Sequence, residues 1–269
     1  MTPLTPPDAP VLHAPAHWQC IDFISDLHLQ PSERATQRAW AHYMQTTPAD
    51  AVFILGDWFE VWVGDDGAQP QPTAPHEDAD FAQACAQVMR QAAQRMALYL
   101  MHGNRDFLLG TAYAASCQAQ LLADPTVLRF AGECALLSHG DALCLADVDY
   151  QQFRTQVRSE KWQSEFLAKP LAERRTIARG LRHASEARKA SGAVYVDVDN
   201  NAAHALLAHS GCSLLIHGHT HAPRAHAVGE GLQRLVLSDW DASATPPRAQ
   251  ALRWRADAPS VLQRVDLPV

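Results

Sequence analysis

Five short clusters of Asp, His, Asn and Arg punctuate this chain of 269 residues. They are Ser25-Asp26-Leu27-His28, Gly56-Asp57, His102-Gly103-Asn104-Arg105-Asp106, Ser138-His139-Gly140-Asp141 and His217-Gly218-His219-Thr220-His221. Each has a bland reading when taken alone, since D-x-H and G-D recur by accident in turns. Three imidazoles within five residues are harder to dismiss, because desolvation and mutual repulsion keep such a run out of an ordinary packed core. A set of imidazoles and carboxylates without thiolates suits Mn, Fe or Zn and argues against Mg alone. A carboxylate shared between two such ions would hold them about 3.5–4 Å apart, the spacing used for phosphoryl hydrolysis.

Every cluster follows an apolar run. CIDFI (20–24), AVFIL (51–55), LYLM (98–101), CALL (134–137) and LLI (214–216) read as short buried strands. Helical patterns over Ser32–Gln45, with Ser32 as a candidate cap, and over Asp80–Met96 alternate with them. This predicts an α/β layered fold, and ligands in such folds gather beyond the carboxyl ends of the strands. Gln233–Leu237, Ala249–Trp254 and Ser260–Val265 are expected as terminal strands of a second, more antiparallel sheet. Residues 1–18 read as a disordered, Pro-rich leader that lacks the basic start and apolar stretch of a signal peptide. Asp66–Asp78 reads as a loop by its proline content.

The formal charge of −7 excludes a generic nucleic-acid binder, and 47% apolar with 19% charged residues is globular composition. Six cysteines without C-x-x-C spacing read as reduced, mostly buried thiols. No apolar run reaches the ~18 residues of a membrane span. Charge is unevenly spread. Residues 151–190 hold ten Lys/Arg against four Glu, a local +6 that leaves −13 on the rest of the chain. That segment has helix formers and no strand signal, and Phe153, Val157, Trp162, Phe166, Leu167, Leu171, Ile177 and Leu181 recur through it at roughly helical spacing. It reads as a helical insertion over 150–191 in a core of 19–149 and 192–269, with most of the stripe packing it onto the body.

The ordered motifs D-x-H, G-D, G-N-R-D, H-G-D and G-H-T-H resemble those of the calcineurin-like metallophosphoesterases over about residues 20–240. The resemblance implies a four-layer α/β/β/α sandwich of two mixed sheets with a helical cap insertion. It also implies one metal on Asp26, His28, Asp57 and His221, and a second on Asp57 (bridging), Asn104, His139 and His219. His217 matches no ligand. The run Gly56-Asp57-Trp58-Phe59-Glu60-Val61-Trp62-Val63-Gly64-Asp65-Asp66 is similar to the G-D-x-F-E-x-W-x-G-D-D signature of UDP-2,3-diacylglucosamine diphosphatases. So are Gly103–Gly110, His139–Cys144 and Asp147-x-x-Tyr150-x-x-Phe153-Arg154.

That family implies Mn²⁺-dependent hydrolysis of a lipid-linked nucleotide sugar to UMP and 2,3-diacylglucosamine 1-phosphate in lipid A biosynthesis, with water attacking the α-phosphorus. Asp57, Asn104, Arg105 and His139 would form the catalytic set on two Mn²⁺ ions. Asn104, Arg105, Asp147 and His219 would contact the sugar-linked phosphate, and Ser185 and Lys189 would contact substrate from the cap. The implied setting is a monomer bound peripherally to the cytoplasmic face of a Gram-negative inner membrane, with no nucleic-acid partner. Other readings of the same fold are a hydrolase of dinucleoside polyphosphates or other phosphodiesters, and a non-catalytic scaffold. Two departures from the family pattern are Ala222-Pro223-Arg224, where Arg-Pro is usual, and a long loop at Gly67–Asp78.

Overall fold

The structure is a computed structural model that describes residues 8–69, 77–190 and 196–269; the side chains of residues 183–190 lie outside that description. Three strands are parallel neighbours: β2 (Cys20–Ile24), β3 (Ala51–Leu55) and β4 (Ala97–Met101). Each alternates its side chains between two covered faces, so all read as unbroken apolar runs. Ile21, Phe23, Phe53, Leu55, Tyr99 and Met101 face a second sheet. Cys20, Ile24, Val52, Ile54, Leu98 and Leu100 face helices α1 (Arg34–Thr46) and α2 (Glu77–Ala92).

β5 (Gln120–Leu122) extends this sheet beyond α3 (Thr111–Ser116), giving the order β12-β11-β2-β3-β4-β5 once β11 (Gln250–Arg255) and β12 (Leu262–Asp266) join the other edge. The second sheet has the order β1-β6-β7-β8-β10-β9. Its strands are β1 (Val11–His13), β6 (Thr126–Phe130), β7 (Glu133–Ser138), β8 (Leu214–His217), β9 (Ala225–Gly229) and β10 (Leu232–Val236). Its outer face packs Leu136 and Leu215 against Ala203 and Leu207 of α7 (Asn200–Ser210). The result is helix, sheet, sheet, helix: the four layers expected, with parallel and antiparallel neighbours in both sheets.

Three expectations are corrected. The strand at 233–237 does not join 249–254 and 260–265; β10 lies parallel to β8, whereas β11 and β12 run antiparallel on the edge of β2. Alternation identifies a strand but not its partner, and the β9–β10 turn at Gly231 (φ 67°) returns the chain beside β8. Order also begins before residue 19: Val11–His13 pair with Val127–Arg129 and Trp18 is buried against Tyr99. Proline is tolerated on such an edge, so its presence concealed the strand; residues 1–7 lie outside the description. Finally, Glu33 rather than Ser32 caps α1, without a side-chain hydrogen bond. α2 starts at Glu77, where Glu77, Asp78 and Asp80 suit the positive helix end.

The insertion between β7 and β8 is helical: α4 (Val148–Val157), α5 (Glu160–Leu167) and α6 (Leu171–Ala190). Phe166 is buried in the helix-side core, with Trp162, Leu171 and Ile177 packed against that core, and Val157 is buried too. Most of the apolar stripe therefore holds the cap to the body, leaving Leu167 and Leu181 exposed. Among the described residues no helix is long and apolar enough to cross a membrane. Five of the six cysteines are buried, and all are free.

A buried carboxylate fastens the first layers. Asp22 on β2 accepts from Tyr43 Oη (3.0 Å) and Thr47 Oγ1 (2.7 Å) of the α1 end and from Arg253 Nε and Nη2 (2.8 and 2.7 Å) on β11. Removing one partner of a buried pair leaves the other uncompensated. Asp22→Ala is expected to cost about 3–5 kcal/mol in denaturant unfolding; a loss below about 1 kcal/mol would contradict this role.

Candidate metal centre

Each strand end delivers its cluster to one edge, and the turns there are strained. Among the seven described non-glycine residues with positive φ, five are Asp26 (53°), His28 (48°), Asp57 (51°), His219 (67°) and His221 (49°). Left-handed backbone costs an ordinary residue of order 1–2 kcal/mol and persists where surrounding structure enforces it, often at functional sites. Here the loops zip together through Asp26 N to Gly56 O (3.1 Å), His28 N to Asp57 O (3.0 Å) and Gly218 N to His139 O (3.0 Å). Close approach also fixes two glycines. A Cβ on Gly103 would strike the Asp57 carboxylate, and one on Gly218 would strike Asp26 and Ser25.

The donors form two groups that share Asp26. In the first, Asp26, His28 and His221 bring ligand atoms within 4.8 Å of one another; in the second, Asp26, Asp57 and His139 do so. His221 Nε2 lies 3.3 Å from Asp26 Oδ1 and 3.3 Å from His28 Nε2. Asp57, a member of the second group, also reaches toward the first, with Oδ2 3.9 Å from His28 Nε2 and Oδ1 3.8 Å from His139 Nε2. Asn104 Oδ1 is 3.1 Å from His139 Nε2 and 2.8 Å from His219 Nδ1. All seven residues expected as ligands thus meet at one edge.

Tautomers follow from the partners. His139 Nδ1 donates to Leu55 O (2.9 Å), which leaves the Nε2 lone pair facing Asp57 and Asn104. His28 Nδ1 lies 2.7 Å from Glu60 Oε2 without hydrogen-bond geometry, and Nε2 faces His221 and Asp57.

Electrostatically the cluster calls for a cation. Asp26 and Asp57 are buried, and among the described residues neither has a Lys or Arg side-chain nitrogen within 4.0 Å. Burial pushes the Asp57 carboxyl up to about 6, against the pull of His139 and His28. His139 is pushed up to about 9, because Asp57, Asp26 and Asp141 outweigh the effect of burial. His219 falls to about 3 through burial and the neighbouring His139 charge. Buried carboxylates with no Lys or Arg side chain beside them, facing imidazole nitrogens that a cation would take over from protons, fit divalent metal ions by position and donor chemistry.

Arg105 donates its backbone N–H to Asp57 Oδ1 (2.8 Å), and its guanidinium Nη1 lies 3.6 Å from Glu60. Asp147 caps α4 by accepting from Tyr150 N at 3.2 Å. The Tyr150 ring stacks over His219 with centroids 6.1 Å apart. Ser185 and Lys189 fall on α6, and their side chains lie outside the described residues. His217 is not in the cluster: its Nε2 faces Arg234 Nη1 at 3.3 Å, and that buried guanidinium pairs with Asp197. Arg224 donates to His226.

Three acidic residues inside the motifs carry more than their turn-forming reading suggested. Asp106 accepts from Trp58 N and Gly103 N, both at 2.8 Å, and so locks the G-D turn to the G-N-R-D turn. Asp141 accepts from Tyr150 Oη (2.5 Å) and Arg154 Nε (2.8 Å), fastening the cap to the H-G-D turn. Glu60 contacts His28, Arg105 and Arg182. Their presence within the motif runs was the available signal; Trp58 for Asp106, and His28, Arg105 and Arg182 for Glu60, lie far away in sequence.

Residues 21–223 match the model of the calcineurin-like phosphoesterase family. The chain is 43% identical over 236 residues to the UDP-2,3-diacylglucosamine hydrolase of Cellvibrio japonicus, spanning 83% of this chain and 95% of that protein. Identity is 45% over 227 residues with the Chromobacterium violaceum protein of the same name, covering 82% and 90% of the two chains. For the Aromatoleum aromaticum protein of that name it is 41% over 248 residues, covering 90% and 96%. The ordered motifs, the four layers and these matches across most of the chain establish that it belongs to the calcineurin-like phosphoesterase family, in the group formed by these UDP-2,3-diacylglucosamine hydrolases.

Proposed function

We propose that this protein is a metal-dependent hydrolase that cleaves the diphosphate of UDP-2,3-diacylglucosamine, giving UMP and 2,3-diacylglucosamine 1-phosphate. Water adds its oxygen to the α-phosphorus and the P–O bond to the sugar-linked phosphate breaks. The observation that carries the reading is the pair of donor groups sharing buried Asp26, with buried Asp57 in one group and 3.9 Å from His28 of the other, and with no Lys or Arg side-chain nitrogen within 4.0 Å of either carboxylate among the described residues. Asp26, His28, Asp57 and His221 would hold one ion, and Asp57, Asn104, His139 and His219 the other; Mn²⁺ is the proposed metal. Two bound ions supply Lewis-acid stabilisation of phosphoryl oxygens and acidify water at neutral pH.

The chain's own groups do the rest. Arg105 binds phosphate oxygens and offsets the charge that builds on them. Asn104 and His219 orient the scissile phosphate, and Asp147 helps set the sugar-linked phosphate from the α4 terminus. Ser185 and Lys189 reach the substrate from the cap. Asp57 and His139 keep the donor set in register through Arg105 N and Leu55 O.

The substrate class draws support from the named relatives and from the cap. Val148, Leu167 and Leu181 are exposed on the three cap helices, as are Lys161 and Arg179 on two of them, a composition suited to a monomer working against an anionic bilayer on the cytoplasmic side of the inner membrane. The reading is tested by comparing kcat/KM of the Mn²⁺-loaded protein on UDP-2,3-diacylglucosamine, bis(p-nitrophenyl) phosphate and diadenosine tetraphosphate. The lipid is expected to win by at least about 100-fold, since binding energy from its remote parts is used at the reacting phosphate. A preference for either soluble substrate overturns it.

A further inference from the structure

The geometry points to Glu60 as a positioning residue that couples cap contact to metal binding; this builds on the reading above. Glu60 lies three residues after Asp57 and is buried. Its backbone N–H donates to Leu29 O at 3.2 Å, beside the short bridge that joins Leu29 to Phe59. That fixes the base of the side chain between the D-x-H turn and the G-D turn. The two carboxylate oxygens then face different parts of the molecule. Oε2 is 2.7 Å from His28 Nδ1. Oε1 is 3.6 Å from Arg105 Nη1 and 3.5 Å from Arg182 Nε.

The consequences follow from charge. A carboxylate 2.7 Å from buried Nδ1, close but outside hydrogen-bond geometry, favours a hydrogen on that nitrogen through charge and leaves Nε2 toward the donor group of Asp26 and His221. The same carboxylate lies between two guanidiniums that would otherwise repel each other. One belongs to the G-N-R-D turn, the other to helix α6 of the cap. Arg182 is held further by donating Nη1 to Gln30 Oε1 at 3.0 Å. One side chain thus joins a metal-ligand candidate, a phosphate-binding candidate and the cap. Whatever draws Arg105 or Arg182 toward a substrate phosphate changes the field at His28, and a cation beside His28 changes the hold on both arginines. By reciprocity the two binding events share one coupling energy.

The test uses the full-length, metal-stripped protein. Glu60→Gln keeps the shape and removes the charge. Calorimetric titration with Mn²⁺ is expected to show affinity about 10-fold weaker, the scale of losing a partner behind a metal ligand. Arg182→Ala is expected to tighten Mn²⁺ binding by about fivefold, because the Glu60 charge is then shared with Arg105 alone, and to raise KM for UDP-2,3-diacylglucosamine. In the double variant the KM effects should fall well short of their product, because both act through one carboxylate.

Glu60→Asp, whose shorter arm cannot reach His28 and both arginines together, replaces Glu60→Gln if that variant fails to fold, and should weaken Mn²⁺ binding likewise. Wild-type Mn²⁺ affinity in the folded Glu60 variant, or KM effects that multiply, would overturn the proposal. The Mn²⁺ titration needs no substrate. Failure of the wild type to release UMP would sink the substrate assignment while leaving the metal-side role of Glu60 intact. KM is then read on bis(p-nitrophenyl) phosphate.

Discussion

Asp57→Asn is expected to lower turnover of UDP-2,3-diacylglucosamine by about a thousandfold or more without unfolding the protein. Asp57 is the proposed bridge: it belongs to one donor group, 3.8 Å from His139, and lies 3.9 Å from His28 of the other. An amide there keeps one acceptor oxygen for Arg105 N but loses the charge that two cations would share. A loss of several kcal/mol of transition-state stabilisation corresponds to that factor. Stability should move the other way. Burial pushes the Asp57 carboxyl up to about 6, above its unfolded value near 4. A carboxyl with a raised folded pKa adds relative stability when protonated and costs stability once pH rises through that window. In metal-free protein the ionised group therefore costs about 3 kcal/mol above pH 6, and none of it below about pH 4. Metal-free Asp57→Asn should melt higher than wild type at pH 8, with the gap closing by about pH 4. Thermal melts at both pH values, with a steady-state assay, check this. Retained turnover would remove Asp57 from its bridging place.

The second large effect comes from a single methyl group. Gly103→Ala would place a Cβ against Asp57 Oδ1, Cγ and backbone N together, too close for any of them to accommodate without shifting. The Asp57 carboxylate is tied by Arg105 N, and its turn is tied by Asp106 through both Trp58 and Gly103 N–H groups. Relief must therefore displace the bridging carboxylate itself. Activity is expected to fall by at least about 100-fold, as misplacement of a catalytic group by ~1 Å can do. Stability should drop by about 1–3 kcal/mol, the usual cost of overpacking. Kinetics and denaturant unfolding of the purified variant read the two effects. Wild-type activity in Gly103→Ala would mean that the G-N-R-D turn is looser than this packing implies.

What could be read from the chain before its structure was mainly local and periodic. The apolar runs at 20–24 and 51–55 announced β2 and β3 to the residue, because strands covered on both faces must be apolar throughout. The candidate metal ligands were legible for a related reason: they sit two to five residues after such runs, where the strands open toward a common edge. Strand partnership was not legible. Nothing local in LQRLV (232–236) says that it runs parallel to β8 rather than beside β11, and the three residues of β1 were hidden among prolines. The supporting carboxylates were invisible for a third reason. Glu60 meets Arg182 and Asp22 meets Arg253 across long stretches of sequence, so only the folded chain brings the charges together. The cap was found as a charge anomaly, and the structure gives part of that charge an address: Arg154 on Asp141, Arg174 on Asp66 and Arg182 on Glu60.

UMP release from UDP-2,3-diacylglucosamine is the most direct measurement of the central claim. It should be followed with the protein as purified, after chelation, and after Mn²⁺ is restored. The account predicts UMP and 2,3-diacylglucosamine 1-phosphate in equal amounts, loss of both on chelation, and recovery with Mn²⁺. Absence of UMP under every metal condition, or release unaffected by the chelator, would contradict it.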